Sequence, residues 1–494
     1  MERNEKMKSY EQQVKDLFTK CDDFVGKSFY LSENGTIKLF VAYIDGLTDS
    51  DLIQESVIRA LFQNILWQGK EGNIVNLVAM QGIETPDMKE VDKLEEAILE
   101  ILAGNTGVWI EGYEKSFVIS SKKLPTRGVE ESNTETVIRG PKDSFNESLR
   151  TNTALIRRRI RDTGLKIQQR KIGKRSHTDV ALVYMEEFVQ PQLLEEIEER
   201  LTHFEIDGIF DSGMLEQMLE QRSFSPFPQI QATQRPDKAA SSVLEGRVAI
   251  VVDNSPEVLL APATLNCFYQ ASDDYYNRVE VATFARILRY FASFLAVALP
   301  GLYLSVAMYH TELLPTSLAL SFASARSGVP FPIVVEVLLM ELAFELLREA
   351  GLRLPGRLGG TIGIVGGLIV GQAAVEANLV STIVVIVVAL TAIAAFSVPN
   401  EGFAAAYRIL KFFFIIMSAW LGLYGLMLGI LLMLIHLSSL KSFGIPYLMP
   451  AVSGEIADYN DKKDFVFRYP IFAMKKRPIF TVKSQQTRMK RREK

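Results

Sequence analysis

Four long apolar stretches without a charged residue restrict the fold of this chain more than any other feature. A helix needs about 20 apolar residues to cross the hydrocarbon core of a bilayer, and these stretches are close to that length or longer. They cover residues 290–309, 358–375, 377–400 and 412–440. Only 13 of the 148 residues from 290 to 437 are charged, against 23% in the whole chain. The pattern predicts an all-α polytopic membrane domain, residues 288–440, with about four spanning helices.

A fifth stretch, residues 331–347, is apolar but carries Glu336, Glu341 and Glu345. A charged side chain at mid-bilayer costs about 2.5–3.5 kcal/mol on insertion scales, so three of them disfavour a lipid-facing span. We expect a short amphipathic or re-entrant helix, or one that lines a wet cavity. Glu345 and Arg348 are three residues apart and can pair on a helix. The glutamates are either functional intramembrane acids or side chains in headgroup water.

The two ends of the chain indicate its orientation. The first residues, MERNEKMKSY, contain no apolar signal segment, so the N-terminal region is expected in the cytosol. Residues 461–494 hold 12 Lys or Arg and 3 Asp or Glu, which predicts a cytosolic tail by the positive-inside rule. Both ends inside require an even number of crossings. The positive-inside rule would also put three arginines in the cytosol, Arg348, Arg353 and Arg357. An arrangement of four spans in which the fifth stretch does not cross the membrane does not explain this preference.

The N-terminal half predicts an α/β region of two related subdomains. A strand and helix at 38–63 match a strand and helix at 180–201 with an offset of 141, and 108–119 match 248–259 with an offset of 140. The last pair has the strand–turn–strand pattern of a hairpin. The alternative is that strand–helix units simply look alike. The expected divisions are a helical lead (1–34), subdomain 1 (35–136), a basic connector (137–164), subdomain 2 with a joint (165–287), the membrane domain (288–440) and a basic cytosolic tail (441–494).

The basic connector contains a cluster of arginines, Arg157, Arg158, Arg159 and Arg161. Spaced in this way on a helix, they cover more than one face. Two interpretations fit these arginines equally well. They either belong to a solvated linker helix or contact anionic lipid headgroups or an acidic partner surface.

Composition and motifs exclude several classes of protein. A net charge of −4 argues against a general nucleic-acid binder. Cys21 and Cys267 are far apart and the four histidines are scattered, which excludes a disulfide scaffold and disfavours a metal site. The sequence has no Walker A, HExxH or GxSxG motif, and no GxGxxG after a strand. We therefore expect no catalytic residues, cofactor, metal or nucleic-acid partner, and the chain is not expected to be an enzyme.

The stretch 358–376 carries the sharpest pattern. Small residues four apart allow close helix packing, and Gly359, Gly363, Gly367 and Gly371 have this spacing. The opposite side of the helix presents a stripe that is polar at its ends and apolar in its middle. Its members are Thr361, Val365, Leu368, Gln372 and Glu376. Hydrophobic constrictions gate by dewetting and acidic rings favour cations, so the stripe predicts a pore lining. The alternative is that Glu376 merely ends the helix in solvent.

Stretches along most of the chain resemble the A subunit of the GerA-type spore germination receptors. They include VIRGPKDSFNESLRTNTALIRRRIR (137–161), SPFPQIQATQRPDK (225–238), MYHTELLPTSLALS (308–321), MELAFELLREAGLRLP (340–355) and TIGIVGGLIVGQAAVEANLVS (361–381). Gln234, Thr311 and Ser317 depart from the family pattern, which affects local loop shape at most. The part ESLRTNTALIRRR is more similar to the receptor type than to the family member encoded with the dipicolinic acid channel.

The resemblance implies a function in the inner membrane of the dormant spore. The implied partners are a transporter-like B subunit that senses the nutrient, a C-subunit lipoprotein and further copies of the chain itself. The implied activity is a cation conduit that opens on nutrient binding. Two alternatives stay open: a secondary transporter that uses Glu341 or Glu345, and a membrane scaffold of a germination or dipicolinic acid release complex.

Overall fold

The computed structural model describes residues 2–30, 38–59, 88–111, 113–123, 135, 137, 139–352, 358–452 and 461–489. The chain forms two units. An α/β unit contains Met1–Glu220, Ile230–Pro262 and Lys475–Lys494, and a helical unit contains Gln221–Gln229 and Ala263–Met474. The expected boundaries therefore shift: residues 263–287 belong to the helical unit, and the C-terminal tail is divided between the two units.

The first sheet of the α/β unit is entirely antiparallel, with strand order β1-β2-β4-β5-β3. The strands are β1 (Phe24–Tyr30), β2 (Lys38–Ile44), β3 (Met88–Val91), β4 (Thr106–Ile110) and β5 (Ser116–Ile119). The helices are α1 (Glu2–Leu17), α2 (Ser50–Leu52, continued by a π-helix Ile53–Arg59) and α3 (Leu94–Leu102). Apolar residues of α3, among them Ala97 and Ile101, bury its inner face against Trp109 and Val118 of the sheet.

The second sheet has the order β6-β7-β9-β10-β8. Its strands are β6 (Leu165–Ile172), β7 (Thr178–Met185), β8 (Gln231–Thr233), β9 (Val248–Val252) and β10 (Val258–Ala261). The helices are α4 (Leu149–Arg159), α5 (Pro191–His203), α6 (Ser212–Leu219) and α7 (Pro236–Leu244). Because Leu155 and Ile156 of α4 pack on the sheet, the basic connector is part of the second subdomain and not a free linker. The segment 225–238, which contains three prolines, includes β8 and the first turn of α7.

The two sheets share one topology and one strand register. Leu39 pairs with Ile110 in the first sheet, and Val180 pairs with Val252 in the second. Residues 39 and 180 are 141 apart, as the sequence predicts, whereas residues 110 and 252 are 142 apart. The 140-residue offset expected for 108–119 and 248–259 is thus wrong by two residues. The predicted duplication is confirmed at the level of fold, because every strand has a counterpart with the same neighbours.

The helical unit consists of apolar helices after two short ones, α8 (Leu265–Tyr269) and α9 (Asp273–Tyr276). They are α10 (Val279–Tyr309), α11 (Thr316–Ala325), α12 (Ile333–Leu352), α13 (Leu358–Glu376), α14 (Thr382–Phe396) and α15 (Glu401–Ser439). Among the described residues, α10 and α15 are long and apolar enough to cross a membrane by length and composition.

The long α15 is a helical hairpin that reverses at Gly422. Gly422 has φ 58° and ψ −140°, a conformation that L side chains rarely adopt. After the reversal, Gly425 lies against the carbonyl of Met417, and a methyl group at Gly429 would lie 3.3 Å from the Phe414 ring. The expected single span 412–440 is therefore wrong, because an apolar run does not reveal a turn made by one glycine. We call residues 401–421 the first arm and 423–439 the second arm.

Helix α12 runs through the bundle antiparallel to the first arm of α15. Glu341 contacts Lys411, while Arg348, two turns later, lies 3.7 Å from Glu401 at the start of α15. Val337 packs in the same cluster as Leu304 of α10. The helix expected at 331–347 thus extends to 20 residues and packs against the first arm of α15, and its amphipathic or re-entrant character stays a prediction.

Six helical segments consequently alternate in direction: α10, α12, α13, α14 and the two arms of α15. A methyl group at Gly366 of α13 would lie 3.2 Å from Leu347 of α12, and one at Gly371 would lie 3.2 Å from Val385 of α14. Arg348 also lies over the Phe396 ring at the end of α14, at 5.2 Å. Because the number of segments is even, the start of α10 and the end of α15 lie at the same end of the bundle. The expected count of four membrane spans stays a prediction.

A candidate functional site among the helices

Glu336, near the start of α12, binds the N-terminus of α14. Its fully buried carboxylate accepts a hydrogen bond from the backbone N–H of Ser381 at 2.9 Å. Its other oxygen accepts two hydrogen bonds from Arg326, both at 3.2 Å. A carboxylate is favourable at a helix N-terminus because the backbone N–H groups there have no partner within the helix. Glu336 is thus a structural clamp between helices.

Glu341 and Glu345 converge on one lysine. Lys411 donates hydrogen bonds to Glu341 at 2.5 Å and to Glu345 at 3.2 Å. Arg408, one turn before Lys411, lies 3.7 Å from Glu345. The i, i+4 spacing of the two glutamates correctly puts them on one face, whereas the anticipated Glu345–Arg348 pair is replaced by the pair of Arg348 with Glu401.

This charge cluster lies in an apolar bundle and is almost closed to solvent. Glu341 and Lys411 are buried, and one oxygen of Glu341 has no hydrogen-bond partner among the described residues. A cavity with room for about one water molecule adjoins the cluster. It is lined by Glu345, Arg348, Thr391, Tyr407, Arg408 and Lys411 among others. Arg408 and Lys411 were not predicted as site residues, although two cations three residues apart at the border of an apolar run are a usable signal.

The end of α13 is polar and exposed. Gln372 donates a hydrogen bond to Glu376 at 3.0 Å, and both side chains are exposed, as is Ile369 on the same face. The side chains of Thr361, Val365 and Leu368 lie outside the described residues, so the middle of the predicted stripe stays a prediction.

The packing side of α13 is described in its second half. Methyl groups at Gly367 and Gly371 would lie 3.8 Å from Phe344 and 3.2 Å from Val385. These two glycines thus lie against neighbouring helices, as their spacing predicts. The surroundings of Gly359 and Gly363 lie outside the described residues.

The arginines of the basic connector are partly used within the α/β unit. The fully buried Arg157 donates to both oxygens of Asp23, at 2.9 and 2.8 Å, and so ties the second subdomain to the first. Burial acts to lower the pKa of Arg157, but Asp23 outweighs it and the pKa lies above its ordinary value. Arg159 binds Asp143 at 2.6 Å, which leaves Arg158 and Arg161 exposed. A lipid or partner contact through Arg157 is therefore wrong.

Phe227 and Pro228, within the range 165–287 where a joint is expected, are anchored in the helical unit. The Phe227 ring packs between Phe403 and His436, with centroid distances of 5.6 and 6.0 Å. Tyr447 donates to the carbonyl of Pro228 at 2.8 Å. These contacts hold the loop around Phe227 and Pro228 at the end of the bundle where α15 begins and ends.

Together, the duplicated sheets and the apolar bundle with its buried charges define a membrane-associated protein of two units. The family model for the Bacillus/Clostridium GerA spore germination protein matches residues 12–480. The chain therefore belongs to the GerA family.

Curated relatives match this chain over most of their own length. Spore germination protein KA of Bacillus subtilis is 40% identical over 94% of this chain and 85% of its own length. Spore germination protein GerLA of Bacillus cereus is 39% identical over 89% of this chain and 88% of its own. Stage V sporulation protein AF of Bacillus subtilis is 33% identical over 83% and 82%. Among solved structures, the N-terminal domain of the A subunit of the Bacillus megaterium germinant receptor GerK3 is 29% identical, with a TM-score of 0.41, and covers 51% of this chain and 93% of that domain.

Proposed function

We propose that this chain is the A subunit of a nutrient-responsive spore germination receptor and that copies of it form a cation conduit in the inner membrane of the spore. The observation that carries this proposal is the exposed pair Gln372–Glu376 on a helix whose other side is packed by glycines. Such a face is unfavourable against lipid and favourable around water. Placed around an axis, Glu376 forms an acidic ring, and Val365 and Leu368 form the constriction beneath it.

The three glutamates that the sequence places in the fifth apolar stretch support this assignment by contrast. Glu336, Glu341 and Glu345 each bind a cationic side chain, so their charges are already compensated. Glu376 binds the neutral Gln372, which leaves its charge available to a passing cation. The chain acts without catalysis in this proposal.

The alternating bundle supports a cytosolic location for both ends. Six crossings return the chain to the side where it starts. Arg348 lies at that end, beside Glu401, and the Lys- and Arg-rich C-terminal segment follows there. Positive residues favour the cytosolic side. The B and C subunits that the family resemblance implies would bind this A subunit.

The experiment measures cation leakage from dormant spores without nutrient. Leu368→Ala or Val365→Ala widens the constriction, so leakage is expected to increase several-fold. Leu346→Ala, at an exposed leucine of α12, is the matched control and should leave dormancy unchanged. Glu376→Gln should reduce the cation flux that follows nutrient addition. Unchanged flux in all three α13 variants, with normal amounts of protein, contradicts the conduit.

A secondary transporter is the second candidate, favoured by the buried Glu341 oxygen that has no partner among the described residues. This function predicts saturable, pH-dependent uptake by the purified chain, abolished in Glu341→Gln. The conduit predicts flux that does not saturate at the same concentrations and that still occurs in Glu341→Gln.

A further inference from the structure

The segment before the last basic cluster exposes apolar side chains to an unusual degree. Phe467 is 59% exposed, Ile471 50% and Phe472 73%, with Tyr469 at 46% between them. Lys475 and Lys476 follow directly, and residues 465–476 contain no acidic residue. Aromatic residues beside lysines are typical of segments that lie at a membrane–water interface.

Hydrogen bonds and ion pairs hold this segment at the start of α10. The buried Arg286 binds Asp464 at 2.7 Å and the carbonyl of Phe465 at 3.1 Å. The buried Arg468 donates to the carbonyl of Asn277 at 3.0 Å, and its backbone N–H donates to Thr283 at 3.3 Å. The position of the segment along α10 is therefore fixed by the polar contacts of the buried Arg286 and Arg468.

The outer face of α10 is apolar from its first turn. Val281, Phe284, Leu288 and Phe291 recur every three or four residues, and each is more than half exposed. Arg286 and Arg289 point to the opposite, packed side, where both bind Asp274. The exposed apolar surface of α10 thus begins at the level where the segment is attached.

We propose that residues 465–476 form an interfacial anchor that lies in the headgroup region of the cytosolic leaflet. The rings of Phe467, Tyr469 and Phe472 insert at the boundary of the acyl chains, and Lys475 and Lys476 bind anionic headgroups. Anionic lipid is the partner that fits this segment, because residues 465–476 combine apolar rings with positive charge and contain no acidic residue. This inference rests on the proposed membrane location of the helical unit.

The test uses the full chain in lipid nanodiscs, with the buried Cys21 and Cys267 replaced by alanine. A bimane label at Phe472→Cys should be quenched several-fold more by a shallow nitroxide lipid than by aqueous iodide. A label at Phe210→Cys, exposed in the α/β unit, should show the reverse preference. A label at Leu431→Cys, exposed on the second arm of α15, should be quenched by a deep nitroxide lipid and so reports membrane insertion separately.

The outcomes distinguish the anchor from the function it rests on. Lipid quenching at residue 431 with iodide quenching at residue 472 overturns the anchor and leaves insertion intact. Iodide quenching at both positions overturns the membrane location itself. Protection of residue 472 from both quenchers only when partner subunits are added overturns the anchor in favour of a protein contact.

A second comparison tests the lysines. In nanodiscs that contain phosphatidylglycerol, lipid quenching at residue 472 should exceed that in pure phosphatidylcholine by about twofold or more. Lys475→Gln with Lys476→Gln should remove this difference, and Lys475→Arg with Lys476→Arg should retain it. Lys483→Gln, at another exposed lysine of the tail, is the control and should have no effect. An equal difference in all four proteins overturns the headgroup contact.

Discussion

Lys411 donates a hydrogen bond to Glu341 at 2.5 Å across two helices, and both side chains are buried in an apolar bundle. Removal of one partner from a buried ion pair leaves an uncompensated charge, at a cost of about 3–5 kcal/mol. Lys411→Met should therefore greatly lower the melting temperature of the chain in detergent. The double variant Lys411→Met, Glu341→Leu should recover part of the loss. A double variant less stable than the single one contradicts this account.

The pair Arg157–Asp23 predicts a matched difference between neighbouring arginines. Arg157→Met leaves the buried Asp23 carboxylate without its cation, so unfolding of the α/β unit should become easier by about 3–5 kcal/mol. Arg158→Met removes an exposed arginine and should change stability by about 0.5 kcal/mol or less. Circular dichroism during urea unfolding of the full chain measures both. Similar losses in the two variants would show that helix α4, and not the pair, is what the substitution disturbs.

The reversal at Gly422 predicts that alanine is poorly tolerated there. The φ of 58° is unfavourable for an L side chain by about 1–2 kcal/mol, and the new methyl group would also lie 3.1 Å from Tyr309. Gly402→Ala, in the first turn of α15, is the control, because its methyl group meets only Asn400 at 3.5 Å. Thermal unfolding should separate the variants by several degrees. Equal melting temperatures would indicate that the chain does not reverse at residue 422.

Glu216 on α6 predicts a pH dependence of stability. Burial raises its pKa to about 8, and the carboxylates of Glu220, Glu257 and Asp211 add to the shift. Because the folded pKa is above the unfolded value of 4.5, the contribution of this group is fully present below pH 4.5 and is lost as the pH rises through about 8. Glu216→Gln should lose less stability over this interval than the wild type.

Unfolding midpoints at several pH values measure this difference. Glu195→Gln, at an exposed glutamate of α5, should follow the wild type. If Glu216→Gln has the same pH slope as the wild type, Glu216 is not the group that titrates.

Local patterns predicted the elements of the α/β unit better than the partners of its side chains. The strand–turn–strand pattern predicted the hairpins at 108–119 and 248–259, and the matched offsets predicted the duplication. The pair of Arg157 with Asp23 joins residues 134 positions apart, and nothing in the spacing of the arginines distinguishes Arg157 from its exposed neighbour Arg158. Burial of a charged side chain is decided by the whole fold, so local spacing cannot reveal it.

In the helical unit, the prediction failed where a single residue or a distant partner decides the structure. Uniform hydropathy from 412 to 440 hides the turn at Gly422, because glycine is also common within membrane helices. The three glutamates of α12 disfavoured a lipid-facing span, because the sequence alone does not show that their cations are Arg326, after α11, and Lys411, on α15. The family resemblance, in contrast, was carried by many stretches at once and is confirmed.

The duplicated sheets also limit how copies of the chain can associate. In each sheet one outer strand is very short, β3 with four residues and β8 with three. The backbone of the opposite edge, at Ile167 of β6, is already bonded to Lys20 and Asp22 of the same chain. At β3, at β8 and around Ile167, few backbone groups are thus left for strand addition from another molecule, which is a common route to aggregation. Copies of the chain that meet at these edges should therefore do so through side-chain surfaces and not by extending either sheet.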